Sequence, residues 1–344
     1  MENNNVSAAA AAEEVSAVAV EAAPRRKRIN RAKLAENLWG WAFVALLVIG
    51  TTVFVYVSLI LSIMLSFTNY GANSLGSTFW EALTETHSQG WYYWYKYMFT
   101  TQNLVAGVQG EAQYVWSTMG ATVFYLIGIP IGMILSLVLS VLMTRDIKGT
   151  GAFRVIYYIP TVASTVSVAL MWRNLFGNDG FISEGLGVKF ITGATYWMQR
   201  WCVIILTVWK GLGGTIVLFV AGLNGVNASY HEAADIDGAN AWQIFWRITM
   251  PQLYPTIFYV LVTSVIGGMQ IFLEPNLIFG DYPVASGGSS AGNRYNIPFV
   301  GYIFGVFNNR NEWAHASALG VVLAIIIFFL TLIQFALDAK KEKV

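Results

Sequence analysis

The stretch HEAADIDGANAWQIFWRITMP, residues 231–251, is out of keeping with the chain around it. Over the whole sequence 56% of residues are apolar and 11% are charged, yet Glu232, Asp235 and Asp237 fall within six positions here. Gly238 follows, and then an aromatic run through Trp242, Phe245 and Trp246. A short acidic helix and turn between two long apolar segments has to be explained by whatever fold is assigned.

The surroundings are those of a membrane protein. A soluble domain carries roughly 25% charged residues; this chain has under half of that, with a mean hydropathy of +0.54. Glycine (32 residues) and aromatics (15%) are plentiful, as close helix packing and interfacial belts require. The net charge of +1 comes without a basic face or recognition motif, which excludes nucleic acid as a partner. The single cysteine, Cys202, excludes an intrachain disulfide.

Residues 1–38 read as a disordered, basic cytoplasmic tail: the small-residue run SAAAAAEEVSAVAVEAAP (7–24) precedes the cluster RRKRINRAK (25–33). The apolar run after it is too long for the core of a signal peptide. Since a bilayer core takes about 20 apolar residues per helix, six spans are predicted, at about 39–65, 115–142, 155–172, 201–222, 253–279 and 315–337. Lysine and arginine set the orientation. With the amino terminus inside, the inner segments hold Arg25, Arg26, Lys27, Arg28, Arg31, Lys33, Arg145, Lys148, Arg154, Arg247, Lys340, Lys341 and Lys343. The longer outer segments hold only Lys96, Arg173, Lys189, Arg200, Arg294 and Arg310. Both termini, and the acidic stretch, are therefore expected in the cytoplasm, and the Asn227–Ser229 glycosylation pattern is discarded.

Ser229 and Glu232 have capping-box spacing, which predicts a helix from Tyr230. Gly238 ends it. A second, amphipathic helix presents Trp242, Phe245, Trp246 and Thr249, and Pro251 is expected to close it against the membrane. The pattern Glu232-Ala233-Ala234, then Asp237-Gly238-Ala239, then Ile248 and Pro251 resembles the EAA loop (here 229–251) of permease subunits of binding-protein-dependent ABC importers. YYIPTVASTVSVALMWRNLF (157–176), VWKGLGGTIVLFVAGL (208–223) and NEWAHASALG (311–320) are similar to the sugar-type members of that family. FLEPNLIFGDYPVASGG (272–288) lacks the Gly-Gly-Pro many of them carry.

The resemblance implies an all-α membrane protein: a six-span permease domain over 39–344, in the minimal type I importer arrangement with a cytoplasmic coupling helix. Glu232, Ala233, Ala234, Asp237, Gly238 and Ala239 would couple to a cytoplasmic ABC ATPase dimer. No G-x-x-x-x-G-K-[ST] pattern occurs, so the chain is expected to bind no cofactor itself, ATP and Mg being used by that partner. The other implied partners are a second, different permease subunit, an extracytoplasmic solute-binding protein, membrane lipid and a sugar substrate, in a bacterial plasma membrane. For the substrate path the residues offer Lys210, Glu274, Trp172, Asn174 and Trp209. A charge at the depth of Lys210 costs at least ~2.5 kcal/mol on insertion scales, so it marks a function or a structural pair with Glu274. GWYYWYKYMF (90–99) reads as an interfacial amphipathic helix, and the scattered His87, His231 and His315 suggest no metal site or catalytic dyad. Two alternatives stay open: the same machinery for a non-sugar solute such as glycerol phosphate or a polyamine, and an ion-coupled secondary transporter. The latter should show inverted repeats, and a membrane enzyme should show convergent His, Asp or Glu; neither pattern is present.

Overall fold

A computed structural model describes residues 31–71, 79–84, 90–100, 111–144, 150–191, 193–279 and 296–341. The readings placed on residues 1–30 and on Arg145, Lys148, Arg294 and His87 lie outside them. Two units are present, Met1–Ile60 and Leu61–Val344. Among the described residues every regular element is helical.

Five helices are long and apolar enough to cross a membrane, or six if one bent pair counts as a span. The first unit holds most of α1, whose apolar part is Trp39–Leu65. Its helix starts at Arg31, so the last residues assigned to a disordered tail are helical; Arg, Ala, Lys, Leu and Glu there are all good helix formers. A π-helical turn, Thr52–Val57, falls in its β-branched stretch.

The second unit holds the other helices. In α2 (Glu111–Met143) the regular pattern slackens at Leu126 and Ile127, because Pro130 has no N–H to give the Leu126 carbonyl. The Ile129 N–H fills that place at 2.9 Å. The third expected span is two helices, α3 (Thr150–Val162) and α4 (Thr165–Leu175), meeting at 100°. Pro160 removes one donor near the end of α3, and Ser164 takes extended backbone (ψ 129°). α5 (Tyr196–Asn224) is unbroken. After the short α6 (Ala228–Ile236) comes α7 (Ala241–Met269).

Two expectations fail here. Pro251 does not close a helix. A π-helical segment, Phe245–Thr249, widens the turn before it and lets the helix run on, the usual way a long helix absorbs a proline. Nor does the fifth span reach 279. It stops at Met269, and a separate α8 (Leu273–Phe279) begins after three residues. Gly267 and Gly268 weaken the end of α7, and Pro275 is accepted because it lies in the first turn of a new helix. α9 (Phe299–Asn308) and α10 (Trp313–Lys341) complete the chain.

Packing is closest around α5. A Cβ on Gly213 would lie 2.4 Å from the Tyr157 carbonyl and 2.5 Å from Thr161 Oγ1, so α3 lies backbone-to-backbone on α5. Gly222 likewise admits Leu253 and Thr256 of α7. At the end of the bundle away from α6, a charged knot replaces apolar packing. Glu111, at the start of α2, accepts from Arg310 Nη1 at 3.1 Å and from the Tyr302 hydroxyl. His315 Nδ1 meets Glu312 at 2.9 Å, and its Nε2 lies 3.4 Å from Glu111. Burial alone would lower the Arg310 pKa, but Glu111, Glu312 and Tyr97 together outweigh it and hold the guanidinium above its usual range. Trp94 roofs the knot, stacked on His315 at 4.8 Å and donating from Nε1 to the Thr68 carbonyl. The aromatic stretch 90–99, read as an amphipathic helix, holds the short helix Tyr93–Tyr97, with Trp94 and Met98 buried against the bundle and Trp91, Tyr92 and Phe99 exposed.

The two neighbouring glycines of α5 give a direct check. Gly213→Ala should destabilise the protein in detergent by ~1–3 kcal/mol, the range for overpacking. Gly214→Ala, whose Cβ would meet nothing nearer than Thr161 Cγ2 at 3.7 Å, should leave the melting temperature unchanged or raised.

Candidate functional site

Two places could carry function, the acidic stretch and a cavity between α2, α5 and α7. The acidic stretch is a rigid element. Asn227, not Ser229, caps α6: its side chain accepts from the Ser229 N–H at 3.0 Å. Asparagine, two residues earlier than expected and as good a cap as serine, takes the position, and the sequence reading missed it. At the other end Gly238 has φ +73°. Its N–H donates to the Asp235 carbonyl at 3.1 Å, and Ala239 N–H donates to the Ala234 carbonyl at 3.0 Å. These paired bonds close the helix in a left-handed turn that glycine adopts at no steric cost. Asn240 then starts α7 with a reciprocal capping box, exchanging two 2.9 Å bonds with Gln243.

The six residues singled out in this stretch do not share one face. Glu232, Ala233, Asp237 and Gly238 are exposed, whereas Ala234 is buried against the chain's own helices and Ala239 is half-buried. His231 Nε2 lies 3.3 Å from Thr249 Oγ1, tying α6 to the start of α7. The sequence reading passed over Ile236, which is 87% exposed beside the acidic residues. Its signal was available, as the one large apolar residue between Asp235 and Asp237.

The cavity measures about 510 Å³. Its polar lining is Tyr125, Ser136, Thr207, Thr215, Ser264, Gln270 and Glu274, and Gly128, Gly132, Gly211, Gly267 and Gly268 keep it open. Ser136 Oγ is buried without a hydrogen-bond partner. Among the described residues no lysine, arginine or histidine lines it.

The five path candidates divide. Lys210 and Glu274 form an ion pair at 3.3 Å, and Lys210 Nζ also donates to Thr165 Oγ1. Of the five, Glu274 alone lines the cavity. Trp172 and Trp209 pack on each other at 5.4 Å within an apolar cluster. Asn174 lies apart, in a second cavity of about 660 Å³ with Arg173, Asn178, Asp179 and Gln199. No group of three His, Cys, Asp or Glu side chains placed to hold a metal occurs among the described residues.

Comparison with known proteins places these features. Residues 128–343 match the family described as binding-protein-dependent transport system inner membrane component. The chain is 33% identical over 307 residues, 87% of its length and 90% of the relative's, to the probable ABC transporter permease protein YesP of Bacillus subtilis. It is 27% identical to the multiple sugar-binding transport system permease protein MsmF of Streptococcus mutans, covering 90% of this chain and 98% of that one. Among solved structures, a chain of a bacterial ABC transporter that imports the acidic polysaccharide alginate shares the fold, with a TM-score of 0.68 at 18% identity over 90% of this chain and 98% of that one.

The closure of α6 can be tested without an activity assay. Nothing lies within 4 Å of a Cβ placed on Gly238, so substitution there strains only the backbone, by ~1–2 kcal/mol for a left-handed residue. Gly238→Val should speed hydrogen exchange of the Ala239 amide roughly tenfold. Gly238→Asn should do so far less.

Proposed function

The chain belongs to the binding-protein-dependent transport system inner membrane component family, and on that footing we propose that it imports a neutral carbohydrate through the cavity between α2, α5 and α7. It is a multi-pass membrane permease, a transport subunit rather than an enzyme. In this reading α6 lies in the cytoplasm with both termini, as the Lys and Arg distribution favours. A pair of ATPase subunits supplies ATP and Mg chemistry, a second permease completes the pathway, and a binding protein delivers cargo at the opposite face. Closure of the ATPases on ATP moves α6 and rocks the helices between two arrangements.

The observation that carries the cargo class is the lining of the cavity. Hydroxyls, one amide and bare glycine backbone suit a polyhydroxylated solute. A phosphate or uronate would enter with no cation to receive it, and an unpaired anion there is costly. Glycerol phosphate is disfavoured on that ground. A polyamine would meet only Glu274, already neutralised by Lys210.

At the coupling face, Glu232 would pair with a basic residue of the ATPase and Ile236 would fill an apolar pocket beside it. Truncating one member of a partly desolvated pair costs about 2–5 kcal/mol. Recovery of an ATPase, a second permease and a binding protein with the tagged chain from its native membrane is the first test, and the ligand of that binding protein names the cargo. A chain that purifies alone and transports without ATP would overturn the reading. Glu232→Ala, Gly238→Asp and Ile236→Asp should each cut ATP-driven uptake sharply while insertion into the membrane is kept.

The glycines of the cavity supply an independent check. A Cβ on Gly211 or Gly267 would meet nothing within 4 Å, so leucine at either position projects into open space. Gly211→Leu and Gly267→Leu should leave stability near wild type and reduce uptake, with larger sugars losing more. Equal uptake of all sizes would place the path elsewhere.

A further inference from the structure

The Lys210–Glu274 pair, with Thr165, links two of the three places where the bundle's helices are interrupted. We infer that it is a latch which closes the cavity at the end away from α6 and must open for cargo to enter. The inference rests on the cavity being the transport path.

Lys210 sits midway along α5, where an ammonium has to be held by something. Its two side-chain partners come from different segments. Thr165 is the first residue of α4, just beyond the 100° bend. Glu274 is on α8, just beyond the break after Met269. Such junctions are where a few residues absorb the dihedral changes of a hinge. α4 and α8 also pack on each other, with Ala169, Ile278 and Phe279 in one cluster. Together they form a body that rests on α5 through the same apolar cluster, with Val203, Ile204 and Leu206 opposite and Trp172 against Trp209, and Lys210 adds an ionic tie at its edge. α3, before the bend, is held differently, locked by the Gly213 approach and by Thr161 Oγ1 donating to the Lys210 carbonyl at 3.0 Å. The fixed part and the movable part thus meet at Lys210.

Gln270, Ile271, Phe272, Leu273 and Glu274 all line the cavity, so displacing α8 removes part of its wall. Exposure separates this pair from the other ionic cluster. Glu111 in the knot is 3% exposed, and separating it from Arg310 would leave a charge stranded. Lys210 and Glu274 are 20% and 19% exposed, wet enough to part and re-form. One is a permanent tie and the other can work as a catch.

The test reads the opening itself. Cys202 is the single cysteine, so a Cys202→Ser background carrying Ser264→Cys places one thiol in the cavity wall. In native membranes holding the whole complex, labelling by a membrane-impermeant maleimide applied from the binding-protein side is followed without ATP. Lys210→Met or Glu274→Gln should raise the rate roughly threefold or more, the shift expected for an ion pair of this exposure. The charge exchange Lys210→Glu with Glu274→Lys should bring it back toward the starting rate. ATP hydrolysis without the binding protein should rise in the same variants and fall in the exchange. A role limited to holding the fold would lower the amount of assembled complex and leave both rates per complex unchanged, which overturns the latch. If the latch variants respond but Gly211→Leu and Gly267→Leu leave uptake intact, the pair closes the cavity but cargo does not pass there, and the proposed path fails rather than the closure.

Discussion

Hydrocarbon cannot hydrogen-bond a backbone, and this constraint decides where the chain is allowed to stop being a helix. At Leu126 the N–H still reaches the Thr122 carbonyl at 3.3 Å, and Ile127 takes the shorter bond to Phe124. At the bend before α4, Ala163 N–H reaches Ile159 at 3.0 Å. After Met269, Gln270 and Ile271 fall back on Gly267 and Gly268. Around Ile127 and after Met269 the donors are kept by tightening the turn, whereas Ala163 keeps an ordinary helical bond, and two of the three interruptions lie against the 510 Å³ cavity. Irregular backbone in a membrane belongs where it faces other protein or a wet cavity. The breaks and the cavity are therefore one feature: the bundle opens a path where it can afford carbonyls that are not spent on a helix.

Glycine does two opposite things in this fold, and the difference lies in what stands opposite. Gly213 and Gly222 are empty so that another helix can come close. Gly211 and Gly267 are empty with nothing opposite, and both line the cavity. Gly211 and Gly213 are two residues apart on one helix, so helix packing and the cavity wall share α5 on different faces. Sequence gives no means of separating them, since the distinction is made by the neighbour.

Much of the architecture could be read from residues alone, because span length and apolar content are local properties. The acidic stretch was legible for the same reason: its caps, its glycine and its acidic face lie within about 20 consecutive residues. What failed was of two kinds. Pro251 was read as a stop yet is absorbed by a π turn, because a long helix packed on its neighbours tolerates what an isolated one does not, and the break after Met269 went unread in a span drawn through Pro275 to 279. Contacts between distant segments were invisible. Glu111, Arg310 and His315 are unremarkable apart, and only the fold joins them across almost 200 positions. Lys210 and Glu274 were paired in advance because mid-membrane charges are rare enough to search for each other. Trp172, Trp209 and Asn174 were chosen by chemical type alone, and the fold packs the two tryptophans together while placing Asn174 in another cavity.

The loop and the latch are distant, but a single rod joins them. α7 starts at the Asn240 capping box and runs 29 residues to Met269, a length of about 43 Å at 1.5 Å per residue. Its near end is tied to α6 by His231 and Thr249, and its far end is the break that leads into Glu274. A helix of that length, packed on α5 through Gly222, pivots more readily than it bends. On the proposed reading, a partner that moved α6 would act on α7, whose other end leads to Gln270–Glu274 in the cavity wall. A bond at that end has to be strong enough to hold one arrangement and exposed enough to release it. An ion pair one-fifth exposed meets both demands, whereas the buried knot at Glu111 meets only the first. The chain keeps both kinds because a transport cycle needs a part that stays and a part that moves.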